Sequence, residues 1–462
     1  MGKRAALPLV LAIGLLLIWA RPPHPACGTA PNVVPEVSWS HYHNYTELTE
    51  ILAELEASAP ELVELSSIGK SWLGNDIWAI SITNRSVSSE GKIGVLVVGY
   101  HHARERISLE VPLYIAWRLV HEAMTNETVA SLLRDAVFHV IPALNPDGIR
   151  VSELNPWQRK NLRPVDEDGD GLLDEDPPED VDGDGTIYYW WNDTAWGFEG
   201  VDNDGDGLLN EDWLGGVDLN RNYGFHWDDP SATSGSPDPS MEDYRGPSPF
   251  SEPETRALRD FVLGQGEGGI ALAVSYHSGA ACVLYPWSYT PEPCEDDEVL
   301  RRLARTYGLV AGYPYERWEI VTYTCSGEWG DWMYGVAGAL PLTVEVYGMY
   351  GNETWWSEHV QEVNGTCYFR GIWEYFNPPE DRIEAICTKN YRALLATVID
   401  FLKTSHGGLD LLGTSPGEQE LPETWGIAIA SLLLIMLVLA LLILLSLPGE
   451  GARGWRRPYR FS

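Results

Sequence analysis

Four apolar stretches constrain this chain more than anything else in it. "KIGVLVVGY", "AVFHVIPALNPDG", "GIALAVSYH" and "LPLTVEVYG" are short, largely apolar and mostly β-branched. A strand with no polar face has to be buried on both faces, as in parallel sheets covered by helices. Helical patterns fall around these runs. Leu48, Ile51, Leu52 and Leu55 share one face behind Thr46, which reads as the cap. "SLEVPLYIAWRLVHEA" is a second helix, and "SEPETRALRDFV" opens with Ser251 and Glu254 at capping-box spacing. A last helix covers residues 391–404. The alternation predicts one α/β domain over about residues 37–405, a twisted, mixed, mostly parallel sheet flanked by helices.

An acidic insertion interrupts that domain at residues 164–215. The whole chain carries a formal charge of −36, yet residues 166–212 alone hold 18 Asp and Glu, and residues 164–220 have no Lys or Arg. This balance argues against a nucleic-acid partner and for bound cations. "DEDGDGLLDED", "DVDGDG" and "DNDGDGLLNED" repeat one frame. Alternate carboxylates on a tight Gly turn suit an oxygen-loving cation, so Ca²⁺ is expected at Asp166, Asp168 and Asp170, at Asp180, Asp182 and Asp184, and at Asp202, Asp204 and Asp206. The twelfth loop position is Pro177 or Trp213, not Glu, so these are not EF-hands; Glu175 and Glu211 are the stand-ins.

Both ends carry apolar runs. Lys3 and Arg4 precede an apolar core and a Pro-rich break, which reads as a signal peptide over residues 1–30. Residues 425–447 are apolar throughout and long enough to span a bilayer as a transmembrane helix. Residues 406–424 read as a linker, and the Arg-rich tail at 448–462 places the main body outside the cell, anchored to the membrane. Cys282, Cys294, Cys325, Cys367 and Cys387 contain no CxxC pair, so a thiolate metal site is not expected, and one or two disulfides fit an outside location.

The strand ends carry the chemistry. After the first apolar run come His101, His102 and Glu105; the third ends at His277; the fourth carries Glu345. In open α/β sheets, sites form beyond the carboxyl ends of strands. Two histidines, a carboxylate ligand and a free carboxylate make up a hydrolytic zinc set. Spacing alone leaves open which histidine pairs with Glu105.

"GYHHARE", "NPDG", "QRKN", "GVDLNRNYGFHW", "SYHSGAACVLYPW", "YTCSGEWGDWMYG" and "LTVEVYG" occur in the order seen in the zinc metallocarboxypeptidases, the carboxypeptidase A-like family. The chain resembles that family over nearly all of residues 37–405. The resemblance implies that His102, Glu105 and His277 hold one Zn²⁺ and that Glu345 is the general base. It implies that Asn220 and Arg221 grip a terminal carboxylate, that Tyr323 closes over the substrate and that Arg104 contacts it. His101 becomes a supporting or packing residue. Peptide or protein C-termini are the expected partners, and a metallocarboxypeptidase the expected enzyme. A zinc amidase acting on cell-wall peptide or an acyl-amino acid is an alternative, as is a non-catalytic, calcium-stabilised peptide-binding ectodomain.

One departure matters. The family's oxyanion-stabilising arginine falls where this chain has Leu162. Arg163, one residue on, is expected to serve, with Arg159 as the fallback. In the family the residues just before the Asp-Trp pair line the pocket for the last side chain, so the resemblance implies that Gly330 offers that pocket neither charge nor bulk while Glu328 offers a negative charge, and a mixed apolar and basic preference is expected.

Overall fold

The computed structural model describes residues 34–166, 171–205, 207, 209–210, 212–317 and 323–405. The stretches expected to be a signal peptide (1–30), a linker (406–424), a transmembrane helix (425–447) and a basic tail (448–462) lie outside these residues, as do Asp168, Asp170, Asp206 and Glu211. Among the described residues no helix is long and apolar enough to cross a membrane.

The chain begins with α1 (Tyr45–Ser58), β1 (Val63–Lys70), β2 (Asp76–Ile82) and β3 (Ile93–Gly99). There follow α2 (Ile107–Glu122), α3 (Glu127–Asp135), β4 (Ala136–Ile141) and α4 (Gly148–Leu154). The insertion contributes β5 (Tyr189–Trp191) and β6 (Trp196–Phe198). Next are α5 (Pro253–Gly264), β7 (Leu272–His277), β8 (Ala281–Tyr285), α6 (Asp297–Ala311) and β9 (Tyr315–Arg317). The C-terminal part holds α7 (Trp329–Gly335), β10 (Leu340–Val346), α8 (Glu353–His359), β11 (Val360–Val363), β12 (Thr366–Phe369), α9 (Ile372–Phe376) and α10 (Ile383–Ser405).

The expected mixed sheet is present, with strand order β1-β2-β4-β3-β7-β10-β8-β9. The central strands β4, β3, β7 and β10 are the four apolar runs, and they lie parallel. Strand β3 explains why it must be central. Val95 and Val97 face one core with α2 and α10, while Leu96 and Val98 face the other with α5. All four are fully buried, each burial contributing about 2 kcal/mol.

Local details correct the sequence reading. Asn44, not Thr46, caps α1: its side chain accepts the N–H groups of Thr46 and Glu47, and the Glu47 carboxylate accepts the Asn44 N–H. The α5 cap is Glu252, whose side chain makes no cap bond, and Ser251 donates to Glu252 instead. The five described cysteines are free thiols, so the expected disulfides are not formed.

The insertion is more ordered than its composition suggests. Strands β5 and β6 join the hairpin β11–β12 in a second, antiparallel sheet ordered β11-β12-β5-β6. Trp157, Tyr189, Phe198, Trp355, Phe369 and Phe376 pack beneath it. The first and third acidic repeats also grip each other. Asp212 accepts the Asp174 N–H at 2.9 Å, and Asp176 accepts the Asn210 N–H at 2.8 Å, an exchange between equivalent repeat positions.

Candidate metal centre and substrate clamp

The site forms where three parallel strands end. Strand β3 stops at Gly99, where an added Cβ would lie 2.1 Å from the Ser108 carbonyl oxygen, so only glycine lets α2 approach this closely. Tyr100 then takes a left-handed conformation, φ 58°. A non-glycine residue held there costs about 1–3 kcal/mol and marks a position fixed by its surroundings. The turn aims His102 and Glu105 back over the sheet edge. On the adjoining strands, Glu345 is in parallel register with His277.

His102, Glu105 and His277 converge, with candidate ligand atoms within 4.8 Å of one another. His102 Nδ1 is 2.8 Å from Glu105 Oε1, His277 Nδ1 is 3.2 Å from Glu105 Oε2, and the two Nδ1 atoms are 3.3 Å apart. All three residues are buried. The far nitrogens are held from outside: His102 Nε2 lies 3.1 Å from Asp218 Oδ1, and His277 Nε2 lies 3.0 Å from Ser275 Oγ. With Nε2–H donated outward, each Nδ1 turns a lone pair inward, the tautomer a metal ligand requires. Two imidazole nitrogens, one carboxylate and a carboxylate behind one histidine fit zinc.

His101 takes no part in this triangle. Its ring stacks on His277, with Nδ1 3.3 Å from Ser275 Oγ and Nε2 3.0 Å from the Tyr223 hydroxyl. Burial, then the neighbouring histidines, hold its pKa well below the ordinary value, so it packs as a neutral ring.

Glu345 is partly buried, and its Oε2 is enclosed with no hydrogen-bond partner among the described residues. Burial first, and then the Glu105 carboxylate, push its pKa well above the usual carboxylate range. Such a group holds and releases a proton nearer neutrality than an ordinary glutamate.

The expected oxyanion arginine needs correction. Arg163 points away, bonded to Glu252 at 3.0 Å with its guanidinium over Trp72. Asn161 explains this, because its amide donates to Glu252 at 2.9 Å and Glu254 at 3.0 Å, drawing the following residues towards α5. Arg159 lies at the centre instead. Its Nε and Nη2 reach Asp218 Oδ2 at 3.0 and 2.9 Å, and Nη1 is 3.9 Å from Glu105 Oε1. Burial works against ionisation of Asp218, but Arg159, then Arg221 and His102, hold its carboxyl well below the usual range.

Asn220 and Arg221 sit on a 3-10 turn capped by Asp218, whose carboxylate accepts the Asn220 N–H at 2.9 Å. Arg221 is fully buried, donating to Ser234 Oγ at 3.1 Å and, through Nη2, to the Tyr323 hydroxyl at 3.0 Å. The predicted clamp and closing tyrosine are thus brought together. Arg104 is a second correction. It is paired with Glu242 at 2.8 Å, donates to the Trp157 carbonyl at 3.3 Å and lies under Phe376 at 4.4 Å, so its guanidinium is engaged by the core beneath the second sheet.

The acidic repeats divide. In the middle one, Asp180 and Asp182 group with Glu199, within 4.8 Å. Asp184 lies outside that group and pairs with Arg370 at 3.0 Å, and the same arginine reaches Asp182 at 3.2 Å. Asp166, Asp180 and Asp202 all use their carboxylates to accept N–H groups of their own Gly turns. Sequence reasoning missed Asp218, Ser275 and Glu199. Asp218 was visible in "DLNRN", but nothing in its spacing pairs it with a histidine 116 residues earlier.

A family described as zinc carboxypeptidase matches residues 48–393 of this chain. A zinc carboxypeptidase of Saccharothrix mutabilis subsp. capreolus is 32% identical over 130 residues, 27% of this chain and 30% of that protein. Carboxypeptidase B of Astacus astacus is 26% identical over 325 residues, 68% of this chain and 90% of that protein. The crystal structure of a carboxypeptidase A from Helicoverpa armigera shares the fold with a TM-score of 0.58 at 21% identity, over 79% of this chain and 74% of that one.

Proposed function

The chain belongs to the zinc carboxypeptidase family, and from that premise we propose that it is a zinc-dependent exopeptidase removing residues from the C-termini of peptides. The observation that carries this is the convergence of His102, Glu105 and His277 beside the partnerless Glu345 oxygen. Bound there, Zn²⁺ would polarise the scissile carbonyl and lower the pKa of water to about 7. Glu345 takes the proton from the attacking water and delivers it to the leaving amine. Arg159, fixed by Asp218, faces the negative charge that develops on the carbonyl oxygen. The Arg221 fork and the Asn220 amide receive the substrate's terminal carboxylate, and the Tyr323 hydroxyl adds a third contact. An internal peptide bond presents no such carboxylate, so this set selects chain ends. The direct test is release of residues from peptides with free C-termini against their amidated twins.

The non-catalytic alternative drew on Leu162, and Arg159 beside Glu105 weighs against it. We propose calcium at Asp180, Asp182 and Glu199, supported by their grouping within 4.8 Å. Two of these residues are exposed and Glu199 is buried at the base of the second sheet, so a bound ion would tie repeat to sheet. Calcium chelation too mild to remove zinc is expected to lower the melting temperature by several degrees, roughly what 1–2 kcal/mol contributes in a domain of this size. An unchanged melting temperature would leave this a solvated acidic loop.

A further inference from the structure

The reaction above asks for a fixed spacing. A substrate brings its scissile carbonyl and its terminal carboxylate one residue apart, so Arg159 and Arg221 have to be held at a matching separation. Chain connectivity cannot set that separation, because the whole insertion at residues 164–215 lies between the two arginines.

Each arginine is followed by a buried asparagine, and both asparagines are fastened to the start of α5. Asn161, two residues after Arg159, donates through Nδ2 to Glu252 Oε2 at 2.9 Å and to Glu254 Oε2 at 3.0 Å. Its Oδ1 accepts the Val217 N–H at 2.8 Å, and its own N–H donates to the Val217 carbonyl at 3.1 Å, which sets the Arg159 segment beside Asp218. Asn222, directly after Arg221, accepts through Oδ1 the Glu252 N–H at 3.2 Å and the Thr255 hydroxyl at 2.8 Å. Its Nδ2 donates to the Arg245 carbonyl and to Ser251 Oγ, both at 2.9 Å. Glu252 is therefore the shared node, its carboxylate taking one asparagine and its N–H the other.

The node is itself fixed from behind. Glu252, Glu254 and Thr255 are buried, and a buried polar group stripped of its partner costs more than the bond it made, so these contacts hold one arrangement. Next along α5, Ala257, Leu258 and Val262 pack into the core that Ile77, Ala79, Leu96 and Val98 form on the sheet. Gly69 of β1 lets the helix come this close, since a Cβ there would lie 2.6 Å from Ala257 Cβ. Trp72 closes the outer side, donating from Nε1 to Glu252 Oε2 at 2.6 Å and from its backbone N–H to Glu254 Oε1 at 3.2 Å.

We propose that the start of α5 is a ruler: through Asn161 and Asn222 it sets the spacing between the cation that meets the scissile carbonyl and the cation that meets the terminal carboxylate. The two asparagines are positioning residues that act through the arginines, and the proposal rests on the roles given to Arg159 and Arg221 above. The test is steady-state kinetics of zinc-loaded Asn161→Ala and Asn222→Ala on a peptide with a free C-terminus. Asn161→Ala is expected to lower kcat by about 10- to 100-fold with little change in KM, because Arg159 answers a charge that develops only in the transition state. Asn222→Ala is expected to raise KM by about tenfold with little change in kcat, because Arg221 holds a carboxylate already present in the ground state. A merely structural role would lower activity in both variants in step with the zinc-bearing fraction, which metal analysis counts. The same pattern in both variants overturns the proposal, as do unaltered kinetics in either. If an alanine variant fails to fold, Asn161→Ser and Thr255→Val, which are smaller changes, are read by the same split. Release of C-terminal residues by the unaltered protein, with matching losses in the two variants, sinks this inference and leaves the exopeptidase reading intact. No release by the unaltered protein sinks both.

Discussion

Glu345→Gln is expected to lower peptide turnover by about 10³- to 10⁴-fold while zinc content stays at the level of the unaltered protein. Glutamine keeps the shape of the side chain and cannot accept a proton. The residue is not one of the three that converge on the metal position, so removing its charge leaves His102, Glu105 and His277 in place. The same change also removes the repulsion between Glu345 and Glu105 that, after burial, pushes the Glu345 pKa up. Metal occupancy should therefore hold or rise as turnover collapses. Metal analysis and single-turnover kinetics on one preparation check both halves. Turnover close to that of the unaltered protein would remove Glu345 as the base.

The second large effect separates two arginines. Arg159→Lys is expected to cost about 10²- to 10³-fold in kcat, the scale of losing one preorganised donor to the oxyanion. Lysine keeps the charge beside Asp218, so the buried acid is not left unpaired. It cannot bond Asp218 with two nitrogens while presenting a third towards Glu105, as Arg159 does. The same substitution at Arg163 is expected to leave kcat unchanged, because that side chain pairs with Glu252 on the far side of Asn161. The effect should appear in kcat rather than KM, a split that simple loosening of the fold would not produce. The opposite pattern, with Arg163 sensitive and Arg159 tolerant, would restore the original assignment.

The contrast between these arginines shows where the sequence stops informing. The central strands were legible because an apolar run buried on both faces has few other places to go. The carboxyl-end location of His102, His277 and Glu345 followed from those strands. Which side of the chain faces the site after Lys160 did not follow, because Asn161 is anchored by Glu252 and Glu254, 91 and 93 residues away. Arg104 was misplaced for a similar reason. Its partners Glu242 and Phe376 come from segments far along the chain, and "HHARE" carries no trace of them. Strands β5 and β6 were missed because each spans three residues, and β5 pairs with β12 across a long sequence gap. The choice between His101 and His102 came from family resemblance. The geometry supplies its physical reason: Asp218 and Glu105 orient His102 from both sides, while Ser275 and Tyr223 hold His101 behind His277.

The central claim is that a metal held by His102, Glu105 and His277 serves a site that recognises chain ends. It is tested most directly by following one peptide by mass spectrometry, with a free and with an amidated C-terminus, on protein of known zinc content. The account predicts loss of single residues from the free end, no release from the amidated peptide and about one zinc per chain. Internal cleavage, or equal digestion of the two peptides, would contradict it.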